Sequence, residues 1–159
     1  MCIRDRLAIE ELNLAEKIYM ERKENNYLAD TLLSRGVAYR ELSQFDLSRE
    51  YFNKAFEIFT SLADVKGAAS ALFSIGELEA DLKNYFEALK QFTRSLNLYR
   101  RVGDQEKLGD TYLGMAEVYA KMNDVENAHH FYKQALVSFE RGHCYKKASD
   151  TLEKLRQAL

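Results

Sequence analysis

Proline is missing from this chain of 159 residues, and tryptophan is missing with it. The first absence removes the strongest helix breaker. Cysteine occurs only at Cys2 and Cys144, too seldom for a disulfide framework, and that scarcity points to a reducing, cytoplasmic setting. No run approaches the roughly 18 apolar residues of a membrane span, and no apolar h-region follows Met1. An excess of one charge is lacking too. The chain has 23 lysines and arginines against 25 aspartates and glutamates, which argues against the basic surface that nucleic acid requires. The seven glycines form no phosphate loop. What remains is rich in Leu, Ala, Glu and Lys, carries 10 Tyr and 9 Phe, and is long enough for one domain with a real core. Such a composition predicts an all-α fold.

The chain repeats itself at a shift of 40 residues. The segments "YLADTLLSRGVAY" from Tyr27, "GAASALFSIGELE" from Gly67 and "KLGDTYLGMAEVY" from Lys107 align, and "KASDTLEKLRQAL" from Lys147 joins them. Between them lie "FDLSREYFNKAFEIF" from Phe45, "YFEALKQFTRSLNLY" from Tyr85 and "VENAHHFYKQALVSF" from Val125; "DRLAIEELNLAEKIY" extends this second set backwards. Two columns are small throughout: Ala8, Ser48, Ala88 and Ala128, then Ala15, Ala55, Ser95 and Ala135. Two are large: Leu12, Phe52, Phe92 and Tyr132, then Tyr19, Phe59, Tyr99 and Phe139. In the other segment Gly36, Gly76 and Ala116 share a small position, and Leu32, Leu72, Tyr112 and Leu152 a large one.

The spacings are helical. Leu108, Tyr112, Met115, Ala116, Tyr119 and Met122 fall on one stripe, and Val125, Ala128, Tyr132, Ala135, Leu136 and Phe139 on another. Each unit therefore reads as two amphipathic helices joined by a short turn. Small residues let the backbones approach, and each ring that fills the remaining space contributes ~1.5–3 kcal/mol of transfer free energy. A lone unit cannot hide its apolar faces, so units must stack into a solenoid.

These columns resemble the tetratricopeptide repeat family. Tyr112, Ala116, Tyr119, Ala128, Tyr132 and Ala135 match its signature in full. Leu32, Gly36, Tyr39, Ser48, Phe52 and Ala55 match in the first unit; in the second, Leu72, Gly76, Ala88, Phe92 and Ser95 match, but Glu79 replaces the tyrosine. The resemblance covers nearly everything from Leu7 onward, and it implies a right-handed α–α superhelix of stacked antiparallel hairpins. The period of 40 exceeds the family's common period of about 34, and the proline that usually closes the second helix is absent, as in the long-helix variety. HEAT and armadillo arrays have a similar period, but the paired small columns favour the tetratricopeptide pattern.

The expected organisation is a leader at 1–6, the second helix of an incomplete repeat at 7–22, repeats at 27–61, 66–102 and 106–141, and a capping helix at 146–159. "MCIRDR" stands where an inter-helix turn belongs and resembles the translation of a sequencing-library adapter, so it is expected to be non-native. A helix is then expected upstream of Leu7. Without it, Ala8, Leu12 and Ala15 lack their cover, and self-association through this helix is expected. Arg156 occupies the slot of Gly36, Gly76 and Ala116, which suggests a solvent-facing cap.

No catalytic constellation is legible, and no cofactor is implied. His129 and His130 point in different directions on a helix, and no metal-ligand spacing occurs. The resemblance implies binding on the concave side formed by the first helices. The residues matching that face are Asp30, Leu33, Val37, Ser70, Phe73, Glu77, Asp110, Leu113, Glu117 and Asp150. Leu33, Phe73 and Leu113 would form an apolar ridge between acidic rows, and they occupy positions where the lysines and asparagines of a carboxylate clamp would be sought. The expected partner is a protein or peptide segment with apolar anchors and Lys/Arg flanks. The aspartates are equally suited to helix starts. The function expected is a non-catalytic adaptor; the alternative is the ligand- or peptide-sensing segment of a larger signalling protein.

Overall fold

The computed structural model describes residues 3–22 and 25–157. Among these the chain forms eight helices and no strand: α1 (Ile3–Arg22), α2 (Asn25–Glu41), α3 (Phe45–Ser61), α4 (Val65–Asp81), α5 (Tyr85–Val102), α6 (Gln105–Lys121), α7 (Val125–Arg141) and α8 (Tyr145–Gln157). They fall into two compact units, Met1–Leu78 and Glu79–Leu159, with the division inside α4. In the first unit α1 packs on α2 and α2 on α3; in the second α5 packs on α6, α6 on α7 and α7 on α8. Helix α1 begins at Ile3, inside the segment 1–6 set apart as a leader in the sequence. Met1 and Cys2 lie outside the described residues.

One turn recurs throughout. Ser43, Ala63, Lys83, Gly103, Asn123 and His143 all have positive φ, at intervals of 20 residues. At each, the amide one residue further on donates to a carbonyl five residues back: Gln44 to Tyr39, Asp64 to Phe59, Asn84 to Glu79, Asp104 to Tyr99, Asp124 to Tyr119 and Cys144 to Phe139. This bond closes a helix that would otherwise leave its last carbonyls unpaired. The same residues then start the next helix. Asp64, Asp104 and Asp124 each accept a bond from the amide three residues later, at 2.9, 3.1 and 3.1 Å. The aspartates that cap are therefore these, and Asp30 and Asp110 lie about a turn inside α2 and α6. With the turns so short, consecutive helices pack antiparallel.

Between the turns the core follows the repeat columns. Ser48, Ala55, Ala88, Ser95, Ala116, Ala128 and Ala135 are all buried, as are Phe52, Phe59, Phe92, Tyr99, Tyr132 and Phe139. The Ser48 hydroxyl donates to the Gly36 carbonyl at 2.8 Å, so a polar side chain sits in the helix–helix seam without an unpaired group. A β-carbon on Gly36 would overlap the ring of Phe52, and one on Gly109 the ring of Phe139. Three residues depart from the columns. Ala8 is exposed on α1, which packs on α2. Leu152 is exposed on the outer side of α8, whose buried residues are Ala148, Thr151 and Leu155. Val125 is exposed at the first position of α7, at the helix end.

Two repeats share an aromatic stack that the middle one lacks. Tyr39 lies 5.3 Å from Tyr51 and Tyr119 lies 5.4 Å from Phe131, ring centroid to centroid and nearly parallel. At the equivalent positions Glu79 and Gln91 are buried. The Asn84 side-chain amide donates to Glu79 at 2.8 Å, and Gln91 bonds to Glu87 and Arg94. Polar satisfaction thus replaces stacking, which is worth about 0.5–1.5 kcal/mol beyond area burial.

Two glycine substitutions separate close packing from backbone conformation. Gly36→Ala gains about 0.8–1 kcal/mol of helix propensity but overpacks against the fully buried Phe52, at a cost of about 1–3 kcal/mol. Urea unfolding is expected to show a net loss. Gly103→Ala meets nothing within 4 Å, so its expected loss of about 1 kcal/mol comes from the left-handed backbone alone.

Candidate peptide-binding site

In the first unit, Asp30, Leu33 and Val37 follow the three-to-four-residue spacing of one side of α2, while Ala29, Leu32 and Gly36 turn inward. An open depression of about 260 Å³ is lined by Asp30 and Leu33 of α2, Phe59 of α3, and Asp64, Lys66, Gly67 and Ser70 at the start of α4. Leu33 and the edge of the buried Phe59 ring are its apolar members, and that ring lies so close to Gly67 that a β-carbon there would overlap it. Its rim carries charge. Burial, and then the neighbouring Asp64 carboxylate, push the pKa of Asp30 above the ordinary aspartate value. Asp64 holds its own place by capping α4 through the Gly67 amide. The Ser70 hydroxyl donates to the Lys66 carbonyl at 3.1 Å.

Three of the expected site residues, Asp30, Leu33 and Ser70, thus meet in one concave place. Val37, Phe73 and Glu77 are half-buried outside its lining. Glu77 accepts a charge-assisted bond from Arg40 at 2.5 Å.

In the second unit the expected acidic row is engaged by lysines. Asp110 accepts from Lys147 at 2.8 Å and from Lys107 at 3.4 Å, and Lys147 also reaches Glu106 at 2.8 Å. Glu117 pairs with Lys154. Leu113 packs against the core of Ala116, Ala128, Tyr132 and Leu155, and Asp150 is exposed. Three of these bonds, Arg40–Glu77, Asp110–Lys147 and Glu117–Lys154, span 37 residues, one helical turn short of the repeat. Inspecting the sequence at that offset would have revealed them; the alignment at 40 hides them.

The charges respond accordingly. The hydrogen bond from Lys147, followed by its charge, holds Glu106 below the ordinary glutamate value. Burial pulls Lys147 down, but its bonds to Asp110 and Glu106 outweigh that and leave it raised. Lys154 is raised chiefly by its bond to Glu117.

Other sequence candidates lie elsewhere. His143 Nδ1 is 3.0 Å from the Tyr145 hydroxyl, His130 packs edge-on to Phe131, and no group of three or more His, Cys, Asp or Glu among the described residues is placed to hold a metal. The Cys144 thiol is raised by burial first and by Glu106 next, which lowers its thiolate fraction. A second depression, of about 480 Å³, lies at the turn before α5 and is lined by residues 83–87. Phe86 there is 81% exposed, where the sister repeats carry Asp46 and Glu126; that break in the column was its sequence signal. No helix among the described residues is long and apolar enough to cross a membrane.

Helical hairpins closed by one recurrent turn define a protein of the all-α solenoid class. The chain belongs to the tetratricopeptide repeat family, whose profiles match residues 67–141 and 29–60, together more than half of it. It is 24% identical over 130 residues to heat shock protein STI1 of Saccharomyces cerevisiae, covering 82% of this chain and 20% of that one. It therefore spans about a fifth of this curated relative. Among solved structures it is similar to aspartyl phosphate phosphatase F from Bacillus subtilis, with a TM-score of 0.73 and 17% identity, covering 95% of this chain and 48% of that one. A Rap protein complexed with competence and sporulation factor gives a TM-score of 0.68 at 17% identity, covering 98% of this chain and 51% of that one. At such identities the likeness is one of fold.

The bond from Lys147 makes the contribution of Glu106 depend on acid. A carboxylate with a depressed folded-state pKa contributes stability above its unfolded value, and loses it as pH falls through the folded value. For Glu106 the window therefore opens at the ordinary glutamate value of 4.5 and extends below it. A titration followed by side-chain NMR is expected to place the Glu106 midpoint below 4.5, and Lys147→Gln is expected to move it back up.

Proposed function

We propose that the chain is a non-catalytic interaction scaffold whose first unit captures a segment of a partner protein. The observation that carries this reading is the depression lined by Asp30, Leu33, Phe59, Asp64, Lys66, Gly67 and Ser70. It offers Leu33 as a contact for an apolar anchor and, beside it, two carboxylates whose mutual repulsion a cation would relieve. The proposed partner segment therefore pairs an apolar anchor with a Lys or Arg nearby. Glu77, Asp110 and Glu117 contribute less to such selection, because Arg40, Lys147 and Lys154 already neutralise them. The STI1 likeness supports the reading at the level of the repeat family.

A second reading makes the chain the sensing segment of a larger regulatory protein. It is favoured by the likeness to a Rap protein solved with competence and sporulation factor. An effector domain in the same open reading frame would support this reading, and further repeats alone the scaffold.

Peptide pools read by fluorescence polarisation test the scaffold. Pools with apolar anchors and basic flanks are expected to bind, and Asp30→Lys and Leu33→Asp are each expected to weaken binding about tenfold with the helical circular dichroism retained. Equal or acid-preferring binding refutes the charge assignment; loss of binding to every pool refutes the site.

Self-association through α1 is a separate proposal. Leu12, Ala15 and Tyr19 are half-buried, and Tyr19 stacks on Tyr27 at 5.4 Å. Leu7, Leu14, Ile18 and Met20 are large apolar residues of this helix that are exposed. Light scattering is expected to show association that rises with concentration and falls in Leu14→Glu and Ile18→Glu. A monomer at all concentrations rules it out.

A further inference from the structure

Arg35 breaks the repeat in a place where breaking it is costly. The equivalent positions hold Ile75, Met115 and Leu155, all buried and apolar, yet Arg35 is as buried as they are, at 8% exposure. Its ion-pair partner Glu16 breaks a second column, whose other members are Phe56, Leu96 and Leu136. The two departures meet across α1 and α2. Nη1 of Arg35 donates to Oε2 of Glu16, so the buried guanidinium pairs with a half-buried carboxylate.

The guanidinium cannot readily swing away to water. Its central carbon lies 4.2 Å from the ring centroid of Tyr51 and 5.9 Å from that of Tyr39, and these two rings are themselves stacked. Its Nε is buried with no hydrogen-bond partner among the described residues. The rings attract the cation but supply no counter-charge, so Glu16 is the carboxylate that answers it in this seam.

We infer that Glu16 and Arg35 form a pairing key: Arg35 makes the outer face of α2 accept a helix carrying a carboxylate at this slot, and so selects α1 over its apolar-slotted sister helices. In an array of near-identical helices, shape alone discriminates poorly, because the second helices α3, α5 and α7 share the small and large columns of α1. A buried cation rejects Phe56, Leu96 or Leu136 in the slot, since an apolar neighbour would leave the charge uncompensated. The key specifies which helix docks; it does not add to the stability an apolar pair would give.

The test is a double-mutant cycle on the whole chain, read by hydrogen exchange of α1 over residues 7–20, with α5–α8 as an internal folding control. Glu16→Leu installs the residue type that two sister helices carry, yet it is expected to reduce protection of α1 by about tenfold or more, because it strands Arg35. Arg35→Met is expected to do the same by stranding Glu16. The double variant E16L/R35M, which restores an apolar pair of the sister type, is expected to regain protection close to that of the parent chain. If Glu16→Leu alone keeps the parent protection, or if the two losses simply add in the double variant, the key does not exist. If α5–α8 also lose protection, the variants are repeated as Glu16→Gln and Arg35→Lys, with the same recovery required of E16L/R35M.

Discussion

Helices in this protein must come close enough for a ring on one to lie against the bare backbone of another. Phe52 against Gly36 and Phe139 against Gly109 show the limit, since neither glycine can carry even a methyl group without displacing a buried ring. The small columns follow from this constraint. Where Ser48 stands in place of alanine, its hydroxyl is spent on the Gly36 carbonyl, so the close approach is kept without a lost hydrogen bond. The large columns follow as well, because a close seam between cylinders leaves wedges on either side that only bulky side chains fill.

The turns enforce the same geometry from the ends. A positive-φ residue every 20 residues gives α2 to α7 the same exit, though only Gly103 and Asn123 suit that conformation well. Ser43, Ala63, Lys83 and His143 accept it because the bonds back to the preceding helix over-determine it. The ion pairs of the second unit add charge to the ordering. Lys147 and Lys154 tie α8 to α6 one turn out of register with the repeat, so the carboxylates of Asp110 and Glu117 are neutralised from within the chain. On α2, the buried Arg35, paired with a half-buried Glu16, takes over a place that the other repeats leave apolar.

Much of the architecture was readable before any coordinates. The columns through Phe52, Phe92 and Tyr132, and through Ser48, Ala88 and Ala128, are buried as their spacing implied, because burial in a helical stack depends on position around the helix and that position repeats. The site was less legible. Leu33 and Leu113 share a column, yet Leu33 lines an open depression while Leu113 packs on the core beside Leu155. The difference lies in neighbours that are remote in sequence: Phe59 and Gly67 open a hollow near Leu33, and α8 closes over Leu113. The turn that recurs at half the repeat also went unread, since its residues share a backbone conformation and almost no chemistry.

By itself, the order of residues determined that this chain is helical, that its helices pair, and which side of each pair is hidden, because apolar periodicity and side-chain size act locally and recur. Tertiary structure decided which acids pair with lysine or arginine, which leucines face open space, and that Arg35 and Glu16 meet. Those outcomes depend on distances between side chains some 20 to 40 positions apart, and a linear pattern carries no distances.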